Sequence, residues 1–195
     1  MTIDHHTLLE ETLFRALNGD GGPVLDALAV TLSSRAFGLA AGALLAAALA
    51  LAGGRRRLGL LAAFAVALVV SDLVGAQVLR PLIGRMRPCF ALAPGSVRWL
   101  APASDAGSLP SLHASNFFAM AWVAWGASRW LGATALAVAA GVALSRVYAG
   151  VHWPTDVVAG ALWGALSALA GRIAARRLSR AAPSAGPAPG RPDPP

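Results

Sequence analysis

Five long apolar runs restrict the folds that this sequence can adopt. They occupy residues 36–54, 58–79, 114–130, 131–147 and 156–174. A bilayer core about 30 Å thick requires about 20 apolar residues of helix to cross it. Backbone polar groups find no water inside lipid, so each run must satisfy its own N–H and C=O groups as a helix. The sequence therefore predicts an all-α, polytopic transmembrane helix bundle with about five spanning helices.

The segments on either side of these runs differ from them. Residues 7–33 hold two shorter helical patterns, separated by a turn-forming cluster at 18–23. We expect residues 1–35 to form an N-terminal interfacial helical segment and 36–180 to form the transmembrane domain. Residues 181–195 are rich in Pro, Ala and Gly, which predicts a disordered cytoplasmic tail.

Composition places the chain in the membrane class. Hydrophobic residues make up 56% of its 195 residues, above the average of soluble domains. The formal net charge is +7, but all 16 basic residues are Arg, and many of them adjoin apolar runs, where basic residues fix membrane orientation. We therefore predict membrane lipids as partners and no nucleic acid. The acidic start of the chain leads us to expect no cleaved signal peptide.

The distribution of arginine predicts an orientation in the plasma membrane. Basic residues concentrate in cytoplasmic loops, so 55–57, the segment from Arg172 onward and a tight turn at 129–132 are assigned to the inside. Alternation of the spans then places 80–113 and 148–155 outside. Nine Arg fall on the predicted inside and seven outside, a weak bias by itself. Three polar clusters, at 80–88, 108–113 and 145–156, all fall on the extracytoplasmic face.

The first cluster is the segment 80–88, RPLIGRMRP, at the outer end of the second apolar run. Arg80 and Arg87 are seven residues apart. Guanidinium groups bind phosphate oxygens through parallel hydrogen bonds and keep their charge, so the pair suits an oxyanion. Snorkelling of the two side chains to the interface is the alternative interpretation.

The second cluster is the segment 108–113, SLPSLH, which enters the third apolar run. A Pro near a helix start, with Ser108 and Ser111 on either side, leaves backbone N–H groups and a hydroxyl available to an anion. His113 follows directly. Taken alone, it fits either a functional imidazole or an ordinary interfacial histidine.

The third cluster is the segment 145–156, SRVYAGVHWPTD, between the fourth and fifth runs. Pro154 marks the first turn of the last helix, so His152 and Asp156, four residues apart, can lie on one side of it. A carboxylate in that position fixes the imidazole tautomer and strengthens the other ring nitrogen as a nucleophile. A helix-capping Asp beside an unrelated His is the alternative. The preceding Ser145 and Arg146 favour the functional interpretation.

Together the clusters resemble the signature of the type 2 phosphatidic acid phosphatase family, written Lys-x6-Arg-Pro, Pro-Ser-Gly-His and Ser-Arg-x5-His-x3-Asp. The resemblance covers roughly residues 58–174 and matches in order and spacing. It implies that His152 is the nucleophile that forms a phosphohistidine, Asp156 its orienting partner and His113 the general acid. The phosphate-binding residues that it implies are Arg80, Arg87, Ser111 and Arg146.

Two positions depart from the family pattern. Arg80 replaces the usual Lys, which preserves the charge. Leu112 replaces the usual Gly, which leaves the placement of that loop's N–H donor open, because Gly allows backbone angles that other residues avoid.

The resemblance implies a membrane phosphatase that acts on a lipid-linked phosphate. Undecaprenyl diphosphate is the first expectation, with phosphatidate, phosphatidylglycerol phosphate and lipid A phosphate as alternatives. A non-catalytic lipid-phosphate binder or transporter is the alternative from another class, and the apolar runs disfavour haloperoxidase-like chemistry. The sequence offers no carboxylate cluster for magnesium or calcium, so we expect no metal and no other cofactor.

Asp72 is the one acid well inside an apolar run. A charge there is costly unless it is paired or hydrated. Two interpretations fit Asp72: an ion pair with an active-site Arg, or a hydrogen bond between helices.

Overall fold

The computed structural model of the protein describes residues 6–52 and 54–181, and the described part is a helical bundle without a β-strand. The helices before residue 53 are α1 (Leu8–Leu17), α2 (Gly22–Leu32) and α3 (Arg35–Ala52). After a 3-10 turn (Gly54–Arg56), one continuous rod contains α4 (Arg57–Val69), a π-helical stretch (Val70–Leu79) and α5 (Arg80–Ile83). The remaining helices are α6 (Pro88–Ala91), α7 (Leu112–Trp125), α8 (Arg129–Tyr148) and α9 (Pro154–Ala181).

Four helices are long and apolar enough to cross a membrane: Arg35–Ala52, Arg57–Ile83, Arg129–Tyr148 and Pro154–Arg180. The predicted helical bundle is thus confirmed, and the chain is a multi-pass membrane protein. The predicted tail at 181–195 lies, beyond Ala181, outside the described residues.

The third predicted span differs in length from the others. Its helix, α7, has 14 residues, fewer than the roughly 20 that a bilayer core requires. It lies at the centre of the bundle, where α4, α8 and α9 pack around it. The turn after α7 lies at 126–128, not at the predicted 129–132, because Ser128 is already the extended N-cap residue of α8.

The core and the outer surface of the bundle are both apolar. Phe117 and Val123 of α7 pack in one buried cluster with Phe64 of α4. On α9, by contrast, Leu162 and Leu166 are exposed by 65% and 58%. Exposed leucines on long apolar helices are what a lipid-facing surface requires.

Two glycines bring α9 directly against the start of α7. A Cβ atom added to Gly160 would lie 2.5 Å from the carbonyl oxygen of Ser111, and one added to Gly164 would lie 2.3 Å from that of Ser115. Small residues one turn apart allow membrane helices to approach this closely. As a result, the backbone N–H of Ser111 donates to the carbonyl of Asp156 at 3.0 Å, which joins the second and third polar clusters.

The π-helical stretch carries a polar cluster in the middle of the bundle. The hydroxyls of Ser71 and Ser115 lie 2.6 Å apart, and the indole of Trp163 donates to the Ser71 carbonyl at 3.0 Å. Asp72 accepts a hydrogen bond from Asn116 at 3.1 Å and forms no ion pair within the described residues. The structure therefore supports the interhelical hydrogen bond and not the ion pair for Asp72.

The N-terminal helices follow the two predicted patterns, with the turn between them at 18–21. On α1, Leu9, Leu13 and Leu17 are exposed at a spacing of four residues, whereas Glu10 and Phe14 are buried. This division is typical of an amphipathic helix. The interfacial location of the segment 1–35 remains a prediction.

Candidate active site

The three polar clusters meet at one end of the bundle. Five of the predicted site residues line one cavity of about 1350 Å³: Arg80, Arg87, His113, Arg146 and His152. The other two, Ser111 and Asp156, are buried next to it. All seven residues are thus brought together, and the loops 80–113 and 148–155 lie at the same end, as the predicted topology requires.

His152 is held between a carboxylate and a guanidinium. Its Nδ1 lies 3.2 Å from Oδ2 of Asp156, and its Nε2 lies 2.9 Å from Nη1 of Arg87. Because an arginine only donates, Nε2 must be the acceptor and Nδ1 must carry the proton. Burial, followed by the field of Arg87, lowers the pKa of His152 well below 6.5. The ring is therefore neutral, with its lone pair on the nitrogen next to Arg87.

Asp156 is fixed by donors on both carboxylate oxygens. Besides His152, Oδ2 accepts the backbone N–H of Trp153 at 2.9 Å. Oδ1 accepts Nη1 of Arg85 at 2.9 Å and the hydroxyl of Ser108 at 3.3 Å. This set of contacts leaves the carboxylate one orientation, and that orientation fixes the imidazole.

Arg87 is anchored by backbone carbonyls from two loops. Nε donates to Ser104 at 2.8 Å, Nη2 to Gly107 at 3.0 Å and Nη1 to Val151 at 2.9 Å. A guanidinium is a rigid planar fork, so these three contacts fix its position. The anchoring holds Arg87 against His152.

Arg80 and Arg146, together with Arg87, are the three predicted phosphate-binding arginines, and all three line the cavity. Nε of Arg80 donates to the carbonyl of Pro110 at 3.1 Å, and Nη1 of Arg146 donates to that of Ser33 at 3.1 Å. The Nε atom of Arg146 is buried and has no hydrogen-bond partner among the described residues. Each side chain keeps N–H groups that can bind an anion in the cavity.

Ser111 precedes α7 in an extended conformation, at the N-cap position. An N-cap hydroxyl commonly accepts a hydrogen bond from the first turn of its helix, but this one makes no such contact. Its Oγ atom is buried and, within the described part of the chain, has no partner. A buried hydroxyl without a partner is destabilising unless something else binds it, so Oγ is available to a ligand.

Leu112, which replaces the Gly of the family pattern, begins α7 in a regular conformation. Among the described residues, positive φ angles occur only at Gly, so the backbone here does not need the freedom of Gly. The Leu112 side chain packs onto Gly75, where an added Cβ atom would lie 2.4 Å from Cδ2 of Leu112. Gly75 thus provides the space that a Leu requires.

His113 follows in the first turn of α7, half-buried, and lines the cavity with His152. No hydrogen bond joins its ring to another described residue, so both ring nitrogens are available to a substrate. An imidazole without a protein partner can form a hydrogen bond with the leaving oxygen of a bound substrate, as a proton donor must.

Three residues at the site were not predicted from the sequence. Arg85 contacts Asp156, and Glu10 of α1 contacts Arg85. Arg35, at the start of α3, lines the cavity. The available signals were weak: Arg85 lies within the first cluster, Arg35 is basic at the end of an apolar run, and Glu10 is the one acid that falls on the buried side of α1.

The described residues contain no group of three or more His, Cys, Asp or Glu side chains that could hold a metal ion. The expectation of a metal-free site remains a prediction, which a chelator tests directly.

The motifs and their geometry agree with a comparison of the whole sequence with known families. The family model described as the PAP2 superfamily matches residues 56–180. The match covers well over half of the chain and contains all seven predicted site residues. The chain belongs to the PAP2 superfamily.

Several characterised or named proteins are similar to this PAP2 protein. The bacitracin transport permease protein BcrC of Bacillus licheniformis is 36% identical over 104 residues, which cover 53% of this chain and 50% of BcrC. The lipid A 4'-phosphatase of Bacteroides thetaiotaomicron is 31% identical over 134 residues, 66% of this chain and 60% of that protein. The putative undecaprenyl-diphosphatase YbjG of Escherichia coli is 40% identical over 68 residues, 34% of each chain. The chain thus aligns with between a third and three fifths of the length of these relatives.

Solved structures show that the PAP2 fold extends over most of the chain. LpxE of Aquifex aeolicus superimposes with a TM-score of 0.70 at 24% identity, covering 88% of this chain and 98% of LpxE. The transmembrane PAP2-type phosphatidylglycerolphosphate phosphatase of Bacillus subtilis superimposes with a TM-score of 0.65 at 22% identity, covering 90% of both chains. Because both coverages exceed the share of the chain that the family model matches, the shared fold extends beyond residues 56–180.

Proposed function

We propose that this PAP2 protein is a membrane lipid phosphatase that works through a phosphohistidine on His152. One observation carries the proposal: the neutral His152 ring directs Nδ1 to Asp156 and presents Nε2 beside Arg87 at the wall of a cationic cavity. A histidine oriented by a carboxylate is an activated nucleophile. Arginines next to it suit the charge of a transferring phosphoryl group.

In the proposed reaction, the lone pair on Nε2 of His152 attacks the phosphorus as the bond to the leaving oxygen breaks. The Nδ1 proton stays on the ring, and Asp156 stabilises the positive charge that the ring acquires. His113, protonated next to the negative charge of the bound phosphate, gives its extra proton to the leaving oxygen and becomes neutral. Neutral His113 then takes a proton from a water molecule, whose oxygen attacks the phosphorus and releases His152.

Three of the four cavity arginines, together with Ser111, would bind the phosphoryl oxygens. Arg80, Arg87 and Arg146 provide N–H groups around the cavity, and the hydroxyl of Ser111 provides a further donor. In phosphoryl transfer the protein contributes chiefly by positioning and by electrostatic stabilisation. Positioning and electrostatic stabilisation both require hydrogen-bond donors that are held rigidly.

The shape of the cavity supports a lipid substrate. From the cationic end, its lining follows α3 along Gly38, Gly42 and Ala46, and it includes Phe64 and Met120 on the opposite side. These residues present an apolar wall at membrane depth. A substrate can therefore keep its chain among apolar groups while its phosphate reaches the arginines.

A diphosphate is the first candidate among lipid phosphates, because Arg35 adds a fourth arginine to the cavity that the proposed proton donor, His113, also lines. When a diphosphate is cleaved, the leaving group is a lipid monophosphate, and a cation at this place would bind it.

The relatives agree with undecaprenyl diphosphate as the first substrate to test, since YbjG is named as a putative undecaprenyl-diphosphatase. Phosphatidate, phosphatidylglycerol phosphate and lipid A phosphate are the further candidates. We propose the plasma membrane as the location, with the active site on the extracytoplasmic face. The arginines at the far end of the bundle, such as Arg172 and Arg176, support that orientation.

The alternative is a lipid-phosphate binder or transporter, which the name of BcrC as a transport permease favours. Purified protein in proteoliposomes, given each of the four lipid phosphates, distinguishes the two. A phosphatase releases inorganic phosphate, keeps its rate in excess chelator and loses turnover in His152→Ala. Binding of the lipids without phosphate release from any of them would support the alternative and contradict the phosphatase.

A further inference from the structure

Helix α1 precedes the residues that the family model matches, yet it contacts the loop that carries His152. Glu10 of α1 is only 6% exposed. Its carboxylate forms an ion pair with Arg85 and accepts hydrogen bonds from the hydroxyl and the backbone N–H of Thr155. One turn further along, the fully buried Phe14 packs edge-on against Trp153, with ring centroids 5.2 Å apart. Two side chains of α1 thus contact Trp153 and Thr155, which lie one and three residues after His152.

Arg85 connects this contact to the candidate catalytic pair. The guanidinium that pairs with Glu10 through Nη2 also pairs through Nη1 with Oδ1 of Asp156, at 2.9 Å. The other carboxylate oxygen, Oδ2, binds Nδ1 of His152. An unbroken chain of buried contacts therefore runs from Glu10 through Arg85 and Asp156 to the proposed nucleophile.

We propose that Glu10 is a positioning residue for His152, acting through Arg85 and Asp156; the proposal rests on the assignment of His152 as the nucleophile. Arg85 attracts the negative charge of Asp156. Glu10 places a second negative charge next to Arg85 and so offsets its positive charge. The negative charge of Asp156 is then less neutralised by Arg85 and interacts more strongly with the imidazole. That charge matters most when His152 becomes positive on attacking phosphorus. Without Glu10, Asp156 alone neutralises Arg85, and stabilisation of the positive ring weakens.

Glu10 also fixes the helix from which Asp156 projects. Thr155 lies in the first turn of α9, where backbone N–H groups have no partner within the helix. A carboxylate at a helix N-terminus satisfies such a group and interacts favourably with the helix dipole. The contact at 3.3 Å between Oε1 of Glu10 and the Thr155 N–H therefore holds the first turn of α9 in place.

The test measures kcat and KM in the full-length protein with a lipid phosphate that the wild type hydrolyses. The variants are Glu10→Gln, which removes the charge at constant size, Arg85→Gln, and the double variant. Glu11→Gln is the matched control, since Glu11 lies on the same helix but its carboxylate contacts Arg15 and His6 and not Arg85. Thermal unfolding midpoints are measured for each variant.

Partners that orient metal-binding histidines typically contribute about 10–100-fold to affinity or activity, and a comparable effect is expected for the orientation of His152. We expect Glu10→Gln to lower kcat by about tenfold, with KM changed less than twofold, and Glu11→Gln to leave both unchanged. Glu10 also contacts Thr155 directly, so only the part of its effect that runs through Arg85 should disappear in the Arg85→Gln background. The loss in the double variant should therefore be smaller than the product of the two single losses. If Glu10→Gln does not fold, the same cycle is run with Glu10→Asp, whose loss should likewise be smaller in the Arg85→Gln background.

An unchanged kcat in Glu10→Gln, a change in KM alone, or losses that multiply in the double variant would overturn this role for Glu10. These outcomes are distinct from failure of the proposed function, which would show as a wild-type protein that hydrolyses none of the lipid phosphates.

Discussion

Nη1 of Arg87 lies 2.9 Å from Nε2 of His152, on the side of the ring opposite the contact with Asp156. The cation proposed to hold a phosphoryl oxygen is thus in contact with the nitrogen proposed to attack the phosphorus. Three backbone carbonyls hold Arg87 in this place. The relation between the two side chains is therefore fixed by the loops that carry these carbonyls.

Replacement of Ser111 by Ala should reduce activity without reducing stability. Its hydroxyl has no partner within the described residues, so the folded state loses no hydrogen bond. If the hydroxyl binds a phosphoryl oxygen, its loss should cost about 1.5–3 kcal/mol, or roughly 10–150-fold in kcat/KM. The measurement is kcat/KM with a lipid phosphate, together with the thermal unfolding midpoint.

Ser115→Ala is the matched control for Ser111→Ala. Ser115 shares a buried hydrogen bond of 2.6 Å with Ser71, so its loss should lower the unfolding midpoint and leave kcat/KM nearly unchanged. Retention of wild-type kcat/KM in Ser111→Ala would exclude the hydroxyl as a phosphate donor.

Replacement of Arg35 by Gln should discriminate between diphosphate and monophosphate substrates. If Arg35 binds the departing phosphate, Arg35→Gln should lower kcat/KM for a polyprenyl diphosphate by roughly tenfold or more, the contribution of a charged hydrogen bond. The value for a monophosphate with the same chain should change much less. Arg129→Gln, which removes an arginine at the start of α8, is the control and should affect neither substrate. An equal loss of kcat/KM for both substrates in Arg35→Gln would contradict binding of the departing phosphate by Arg35.

The acidic limb of the pH profile of kcat/KM should lie well below pH 6.5. Burial and the field of Arg87 lower the pKa of His152, and the neutral ring is the nucleophile. A lowered pKa means that protonation inactivates the ring only as the pH falls through that lower value. Because kcat/KM reports the groups of the free enzyme, this profile is the appropriate measurement.

Ionisation of the substrate phosphate adds a further limb to the pH profile. A phosphorus NMR titration of the substrate in lipid vesicles gives the pKa of that phosphate and so identifies this limb. A limb near pH 6.5 that the substrate does not explain would contradict the neutral, buried His152.

The sequence predicted those parts of the site that depend on local spacing. His152 and Asp156 are four residues apart across Pro154, and a helix that begins at Pro154 brings their side chains together whatever the rest of the fold does. The contact between Glu10 and Thr155 could not be predicted in this way. It depends on how an amphipathic helix docks onto a distant loop, and no local pattern specifies that docking.

The number of spanning helices shows a second limit. The run 114–130 is as apolar as its neighbours, but its helix ends at Trp125 and lies buried at the bundle centre. Composition does not distinguish a helix that faces lipid from one that faces other helices. Leu112 is a similar case, because the space for its side chain comes from Gly75 on another helix.

Detection of a phosphate group on His152 is the most direct test of the proposed mechanism. The protein would be mixed with a lipid phosphate labelled at the transferred phosphorus, quenched with base within one turnover, and mapped by mass spectrometry. The mechanism predicts label on His152 that is stable in base and labile in acid, and none in His152→Ala. Turnover of the labelled lipid at the wild-type rate with no label on His152, or normal turnover by His152→Ala, would contradict it.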